Sequence, residues 1–354
     1  MIRVGLALTL LWLSFGTRSI PRTSRGRARG TVAEGVGSLF GVAAAVALGR
    51  PSPARAIGNL YELRGLTCVL QDMSFNVPSA QSEAELLRLL LQDGSKTLRS
   101  DATTTTVGFG PDAYKAPKTF LPGVSPLSQY GGHATLTFKG GPQTPGVFNP
   151  GNGLQYVKIG TEQVRISKGV EAGGTVKFAY GWIDMDTPGG VPLEVVVGVP
   201  KVDPLMLACL RCSSVADTAR FLQDELGMSE QPFPYARQVG SLYEPQKPAD
   251  SVFLSYGAET FGLLLVPTLD VKRDAKKYPN FSASKNTGPI DVGTVLDCFT
   301  IVIDDKKDTA GTLPPAMARF LATDKKSSDE AIVSAPDGYR FRLEKYSDFQ
   351  KRAV

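Results

Sequence analysis

Cys209-Leu210-Arg211-Cys212 has the spacing of a redox-active or zinc-binding cysteine pair. The run Leu205 to Cys212 reads as a strand, however. Strand positions three apart face opposite sides about 10 Å along the chain, which forbids a disulfide without bending. Cys68 and Cys298 stand alone, so no second C-x-x-C completes a zinc knuckle. His133 is the only histidine, which leaves little room for a conventional catalytic triad. The sequence has no G-x-S-x-G elbow, P-loop or dinucleotide fingerprint. Any chemistry must therefore come from side chains that the fold gathers from distant strands.

The elements that would do the gathering are legible in outline. Met73, Phe75 and Val77 alternate with Asp72, Ser74 and Asn76, the pattern of a half-buried strand. Ser82 with Glu85 reads as a capping box ahead of Leu86-Leu87 and Leu89-Leu90-Leu91. Strands follow at Thr103 to Phe109, Ala134 to Phe138, Leu154 to Ile159, Gly174 to Tyr180 and Pro192 to Val197. A second part begins after Gly198 to Asp203. It has an opening strand, then a helix capped by Ser214 and Asp217 with Val215, Ala219, Leu222 and Leu226 in one stripe, stopped by Gly227. Later strands read at Ser251 to Tyr256, Phe261 to Val266, Leu296 to Ile303, and Ile332 to Leu343 bent at Pro336. Pro188-Gly189-Gly190 before Val191 to Val195 answers Pro336-Asp337-Gly338 before Tyr339 to Leu343, 148 residues later, which points to a duplication. Pro111 to Gly132 and Thr268 to Gly293 are long for connections and read as flaps or partner-binding insertions.

Charge separates an address from a body. The 354 residues hold 39 Lys and Arg against 34 Asp and Glu, a net charge of +5. Residues 1–56 hold eight of those arginines, no lysine and one acid, Glu34, leaving the rest of the chain at −2. Net charge thus excludes reading the body as a basic nucleic-acid binder. With 42% hydrophobic and 21% charged residues the body is ordinary globular chain.

Val4 to Gly16 is an apolar run behind Arg3, and residues 1–17 read as a signal peptide. Residues 18–56 read as a transit peptide plus a lumen-targeting segment: Arg18 to Arg29 is free of acids, and Val36 to Leu48 ends near Ala54-Arg55-Ala56. The whole resembles the leader of a thylakoid-lumen protein in an alga with a complex plastid. A single secretory leader with a hydrophobic tail, or one anchor, is the alternative, although both apolar runs are short for a span.

Ser214 to Met228 (SVADTARFLQDELGM), Ser251 to Val266 (SVFLSYGAETFGLLLV) and Ala335 to Leu343 (APDGYRFRL) resemble the glyoxalase I, or vicinal-oxygen-chelate (VOC), superfamily. The resemblance is fuller over Asp203 to Tyr346 than over Gly65 to Gly198. It implies an α+β fold of two tandem VOC domains, 57–200 and 201–354, built of paired βαβββ modules around cavities. In the family's enzymes four side chains from four strands hold a divalent metal.

In the second domain the resemblance carries the ligand positions onto Leu207, Leu264, Cys298 and Arg342. Leucine has no lone pair and a guanidinium repels a cation, so no metal is expected there. Arg211, four residues after Leu207, corresponds to an arginine that contacts the family's anionic thiol cofactor. With Arg342 it could bind a carboxylate or phosphate, or both could pair with nearby acids. In the first domain the positions fall on Asp72, His133, Gln155 and Glu194. These would make an oxygen-rich divalent site with Glu194 as the catalytic proton shuttle. A lone histidine beside Gly131-Gly132, as His133 is, is more often an exposed turn residue.

Three functions compete. The favoured one is a thylakoid-lumen accessory protein with a glyoxalase-like fold, no metal-dependent activity and no cofactor, docking on a thylakoid membrane complex or binding a small anionic molecule. The second is a metal-dependent lyase or dioxygenase using the first cavity, and the third a small-molecule sequestering module. No nucleic acid and no stable membrane span in the mature chain are expected.

Overall fold

Strand residues alternate between two faces, and in the first sheet this sets a hydroxyl-rich face against an apolar one. In the computed structural model, residues 66–91, 96–108, 134–141, 148–179, 182–197, 204–235, 246–257, 260–267, 289–305, 313–322 and 332–353 are described. All fall in one unit, Pro51–Val354. The leader and the insertions Pro111 to Gly132 and Thr268 to Gly293 lie outside the described residues, apart from the last few positions of the latter.

Four modules follow one another. The first is β1 (Cys68–Asn76), α1 (Ala80–Leu90), β2 (Lys96–Ser100), β3 (Thr104–Gly108) and β4 (Thr135–Lys139). The second is β5 (Leu154–Thr161), α2 (Gln163–Glu171), β6 (Thr175–Ala179), β7 (Trp182–Asp186) and β8 (Pro192–Val197). The third is β9 (Leu205–Arg211), α3 (Val215–Asp224), β10 (Ser229–Glu230), β11 (Val252–Ser255) and β12 (Gly262–Val266). The fourth is β13 (Leu296–Ile303), α4 (Pro315–Ala322), β14 (Ile332–Ser334) and β15 (Arg340–Lys345), followed by α5 (Tyr346–Ala353).

Each module closes the same way: β4 lies parallel to β1, β8 to β5, β12 to β9 and β15 to β13. Modules then join through antiparallel pairing of their opening strands, β1 with β13 and β5 with β9. The outcome is two mixed sheets, β14-β15-β13-β1-β4-β3-β2 and β10-β11-β12-β9-β5-β8-β7-β6. The first sheet is therefore modules one and four, and the second is modules two and three. Pairing crosses the boundary at residue 200 in both.

On the core face of the first sheet, cross-strand neighbours stack: Phe75 on Phe138 with ring centroids 5.8 Å apart, and Phe299 on Phe341 at 5.4 Å. Such aromatic pairs are worth about 0.5–1.5 kcal/mol beyond their burial. Leu86, Leu87 and Leu90 of α1 are buried in the same core. The cap of α1 differs from expectation, since Ser79 rather than Ser82 is the N-cap and accepts from the Ser82 amide. Ser214 caps α3 as expected, accepting from the Asp217 amide. The run after Pro336 is not one bent strand: β14 and β15 form an antiparallel hairpin. Its turn repeats the one before β8. Gly190 donates to Thr187 O and Gly338 to Ala335 O, with φ of +84° and +88°. Only glycine takes that conformation without strain, which explains why the Pro-x-Gly turn recurs.

Candidate ligand site

Register fixes which side chains meet. Across the first sheet, Thr135 of β4 stands beside Asp72 of β1, Asp72 opposite Thr300 of β13, and Thr300 beside Arg342 of β15. Paired residues share a face, so these four side chains form one row. A second row two residues along contains Thr106, Thr137, Ser74 and Cys298. The sequence pattern behind it is simple: T-x-T in β3 and β4, D-x-S in β1, C-x-T in β13 and R-x-R in β15 all alternate with core residues.

This polar face opens into a cavity of about 180 Å³. Asp72 is buried at its floor and its carboxylate takes three hydroxyl hydrogens: Thr135 at 2.5 Å and Thr137 at 2.9 Å on Oδ1, and Ser74 at 3.0 Å on Oδ2. Thr106 and Thr137 hydroxyls lie 2.9 Å apart, extending the chain of bonds toward β3. Arg342 lines the cavity from the far strand, and its Nε, removed from solvent, has no hydrogen-bond partner among the described residues. Thr300, between Asp72 and Arg342, likewise holds a buried hydroxyl without a partner among those residues.

The other cations at the rim are committed. Lys139 Nζ lies 2.5 Å from Asp297, which also receives Arg340 at 3.2 Å. Burial pushes the Asp297 carboxyl up, but the hydrogen bond and charge of Lys139, helped by Cys298 and Arg340, hold it below the ordinary carboxylate range. Arg99 lies 3.0 Å from Asp101. Burial pushes the Cys298 thiol up to about 11, aided by the Asp297 charge and opposed by Arg342, so it stays a protonated, weak nucleophile at neutral pH.

The second sheet presents a different row: Gly262, Leu207, Lys158, Glu194. Lys158 and Glu194 are both buried, with Nζ 3.9 Å from Oε1. The ammonium also lies 4.7 Å over the Phe233 ring and 5.6 Å over Tyr235. Around them Tyr156, Leu207, Cys209, Phe253 and Leu264 make an apolar cluster that Phe233 covers. Hydrocarbon, an ion pair and two aromatic rings therefore occupy this face.

The residues expected to share one metal are thus distributed. Asp72 is on the first sheet; Gln155 and Glu194 are on the second; His133 lies outside the described residues. Gln155 sits at an irregularity of β5, where Nε2 donates back to Asn152 O, and Lys158 is the β5 residue that stands in the row with Glu194. Thr300, two residues past Cys298, occupies the corresponding place on β13. Arg211 and Arg342, expected to face one cavity, are likewise on separate sheets, because β9 pairs with β5 and β15 with β13. The buried Lys158, the polar threonine face and the free Nε of Arg342 were not singled out from sequence. The alternation T-x-T in two adjacent strands was the available signal. All four cysteines are unbridged, consistent with the opposed faces of Cys209 and Cys212.

The donor set does not fit a divalent ion. In the first-sheet row a single carboxylate, already bonded by three hydroxyls, faces a guanidinium, and in the second the carboxylate is paired with an ammonium. Among the described residues no three His, Cys, Asp or Glu side chains cluster so as to hold a metal ion.

Two solved structures of glyoxalase I from Zea mays, one of them a point variant, superpose with TM-score 0.50 and 16% identity. Each match covers 81% of this chain, and 97% and 95% of the maize chains. The chain has the glyoxalase I fold. Its two mixed sheets match the tandem VOC-domain arrangement of that enzyme, as the sequence resemblance implied. A putative dioxygenase from Bacillus subtilis is similar at TM-score 0.43 and 15% identity, over 78% of this chain and 85% of its own. No family model matches the sequence, and no curated protein does.

Proposed function

We propose that this glyoxalase-fold chain is a binding protein rather than a metal-dependent lyase, and that its ligand site is the polar cavity of the first sheet. The observation that carries the reading is the row Thr135, Asp72, Thr300, Arg342. Thr135, Asp72 and Arg342 of this row line a cavity of about 180 Å³, which brings a fixed positive charge and a hydroxyl-bonded carboxylate to one polar surface. A guanidinium repels a divalent cation and attracts an anion. On the second sheet Glu194 stands beside the Lys158 ammonium, whose charge repels a divalent ion from that carboxylate.

The setting we propose is the thylakoid lumen of a complex-plastid alga, reached through the leader at 1–56, with the chain serving as an accessory to a thylakoid membrane complex. The arginine-rich, acid-poor leader supports the address. Among the described residues no helix is long and apolar enough to cross a membrane.

The test is a lactoylglutathione lyase assay on the full-length chain with added Mn²⁺, Ni²⁺ or Zn²⁺. The expected result is no turnover above the protein-free rate with any of the three. Metal-dependent turnover that disappears in Glu194→Gln would establish the lyase and overturn the binding reading.

A further inference from the structure

We infer that the cavity of the first sheet binds a small hydroxylated carboxylate, with Arg342 as the anchor for its charge and the Asp72 hydroxyl cluster as the reader of its hydroxyl groups. This inference rests on the binding reading above and adds to it the chemical class of the ligand.

Size sets the first bound. A dry cavity of about 150 Å³ holds a benzene ring, so 180 Å³ admits a molecule of roughly six to eight heavy atoms. Charge sets the second. Three cationic side chains line the cavity, but Lys139 and Arg99 are paired with Asp297 and Asp101. Among these three only Arg342 has no ion pair with a described residue. One unpaired guanidinium matches one negative charge. A phosphate monoester, carrying about −1.5 to −2, would leave charge uncompensated beside Asp72.

Hydrogen-bonding capacity gives the third. An ionised carboxylate offers about four lone-pair sites, and the Asp72 carboxylate fills three with Thr135, Thr137 and Ser74. The remaining site, on Oδ2, accepts from a ligand hydroxyl. Asp72 and Arg342 both line the cavity, two strands apart in one row. A molecule with a carboxylate at one end and a hydroxyl a carbon or two away meets Arg342 and Asp72 along that row. An unsubstituted fatty acid would leave the Asp72 end dry, and a neutral polyol would leave the guanidinium unmatched.

The experiment is calorimetric titration of the full-length chain, in chelator, with glycerate, propionate, glycerol and inorganic phosphate. Saturable one-to-one binding of glycerate is expected, with the other three at least about tenfold weaker. Arg342→Gln should weaken glycerate about tenfold or more, the usual cost of a lost charged hydrogen bond. Arg342→Lys, which keeps the charge but loses the planar donor, should fall between. Asp72→Asn gives a second, near-isosteric variant at the other end of the site, whose melting temperature shows that it folds; it should weaken glycerate several-fold. Phosphate binding more tightly than glycerate, equal affinity in wild type and Arg342→Gln, or no heat with folded protein would each overturn the assignment while leaving the non-metal reading standing. Glycerate binding that appears only with an added divalent metal would support the ligand class and sink the non-metal reading instead.

Discussion

Glu194 and Arg342 occupy the same place in two copies of one module, 148 residues apart, and bring opposite charges to two different sheets. Each follows the same glycine turn, at Gly190 and Gly338, and each lies beside the opening strand of its own module, Glu194 next to Lys158 and Arg342 next to Thr300. The recurring module sets the frame, and the charge at this one position separates a filled face from an open one.

The ion pair in the second sheet should behave as a coupled unit. Lys158→Met alone removes the ammonium beside the buried Glu194 carboxylate, and should cost about 3–5 kcal/mol. The double variant Lys158→Met with Glu194→Leu should recover most of that loss. Urea denaturation of the two singles and the double gives the cycle, and additive losses would show that the two charges do not depend on each other.

Thr300→Val should stabilise the fold. Its hydroxyl is buried without a partner among the described residues, so removing it relieves a desolvation cost of about 1 kcal/mol. A melting temperature that drops would mean that the hydroxyl is satisfied in the folded protein.

Asp72→Ala should destabilise by about 1–3 kcal/mol, because the Thr135, Thr137 and Ser74 hydroxyls lose their common acceptor. Chemical denaturation measures it. A change below about 0.5 kcal/mol would mean that the cluster is not holding β1 to β4.

Stability should also carry a signature of Glu83, on α1, which accepts from the Gly189 amide in the turn before β8. Burial raises its pKa above the ordinary 4.5, offset in part by the Thr187 hydroxyl and the Gly189 amide. The folded state therefore holds this proton more tightly than the unfolded chain. The stabilisation is complete below pH 4.5 and is lost as pH rises through the raised value. Glu83→Gln should flatten that fall, gaining stability at pH 7 and little at pH 4. Parallel thermal melts across pH decide it, and superimposable curves for the two proteins would contradict the assignment.

The sequence made the local devices legible and hid the global pairing. The alternation around Met73 and Phe75, the Ser214 cap and the repeated turn at Gly190 and Gly338 are each written in a few adjacent residues. Cys68 opposite Ile303 is not, because no local signal says that module one joins module four. That one unknown placed Asp72 and Glu194 in a shared cavity when they belong to different sheets. The β5 irregularity did the rest, since the extra residue leaves Gln155 without a cross-strand partner and sets Tyr156 opposite Cys209 and Lys158 opposite Leu207. Helix α2 escaped notice for a related reason: Val164 and Val170 face solvent and only Gly169 is buried, so its apolar residues trace no core stripe.

Native mass spectrometry of the full-length chain, incubated with Mn²⁺ or Zn²⁺ and then desalted, tests the central claim most directly. The account predicts a mass with no retained ion, in wild type and in Asp72→Asn alike. One retained divalent ion per chain in wild type, absent in Asp72→Asn, would contradict it.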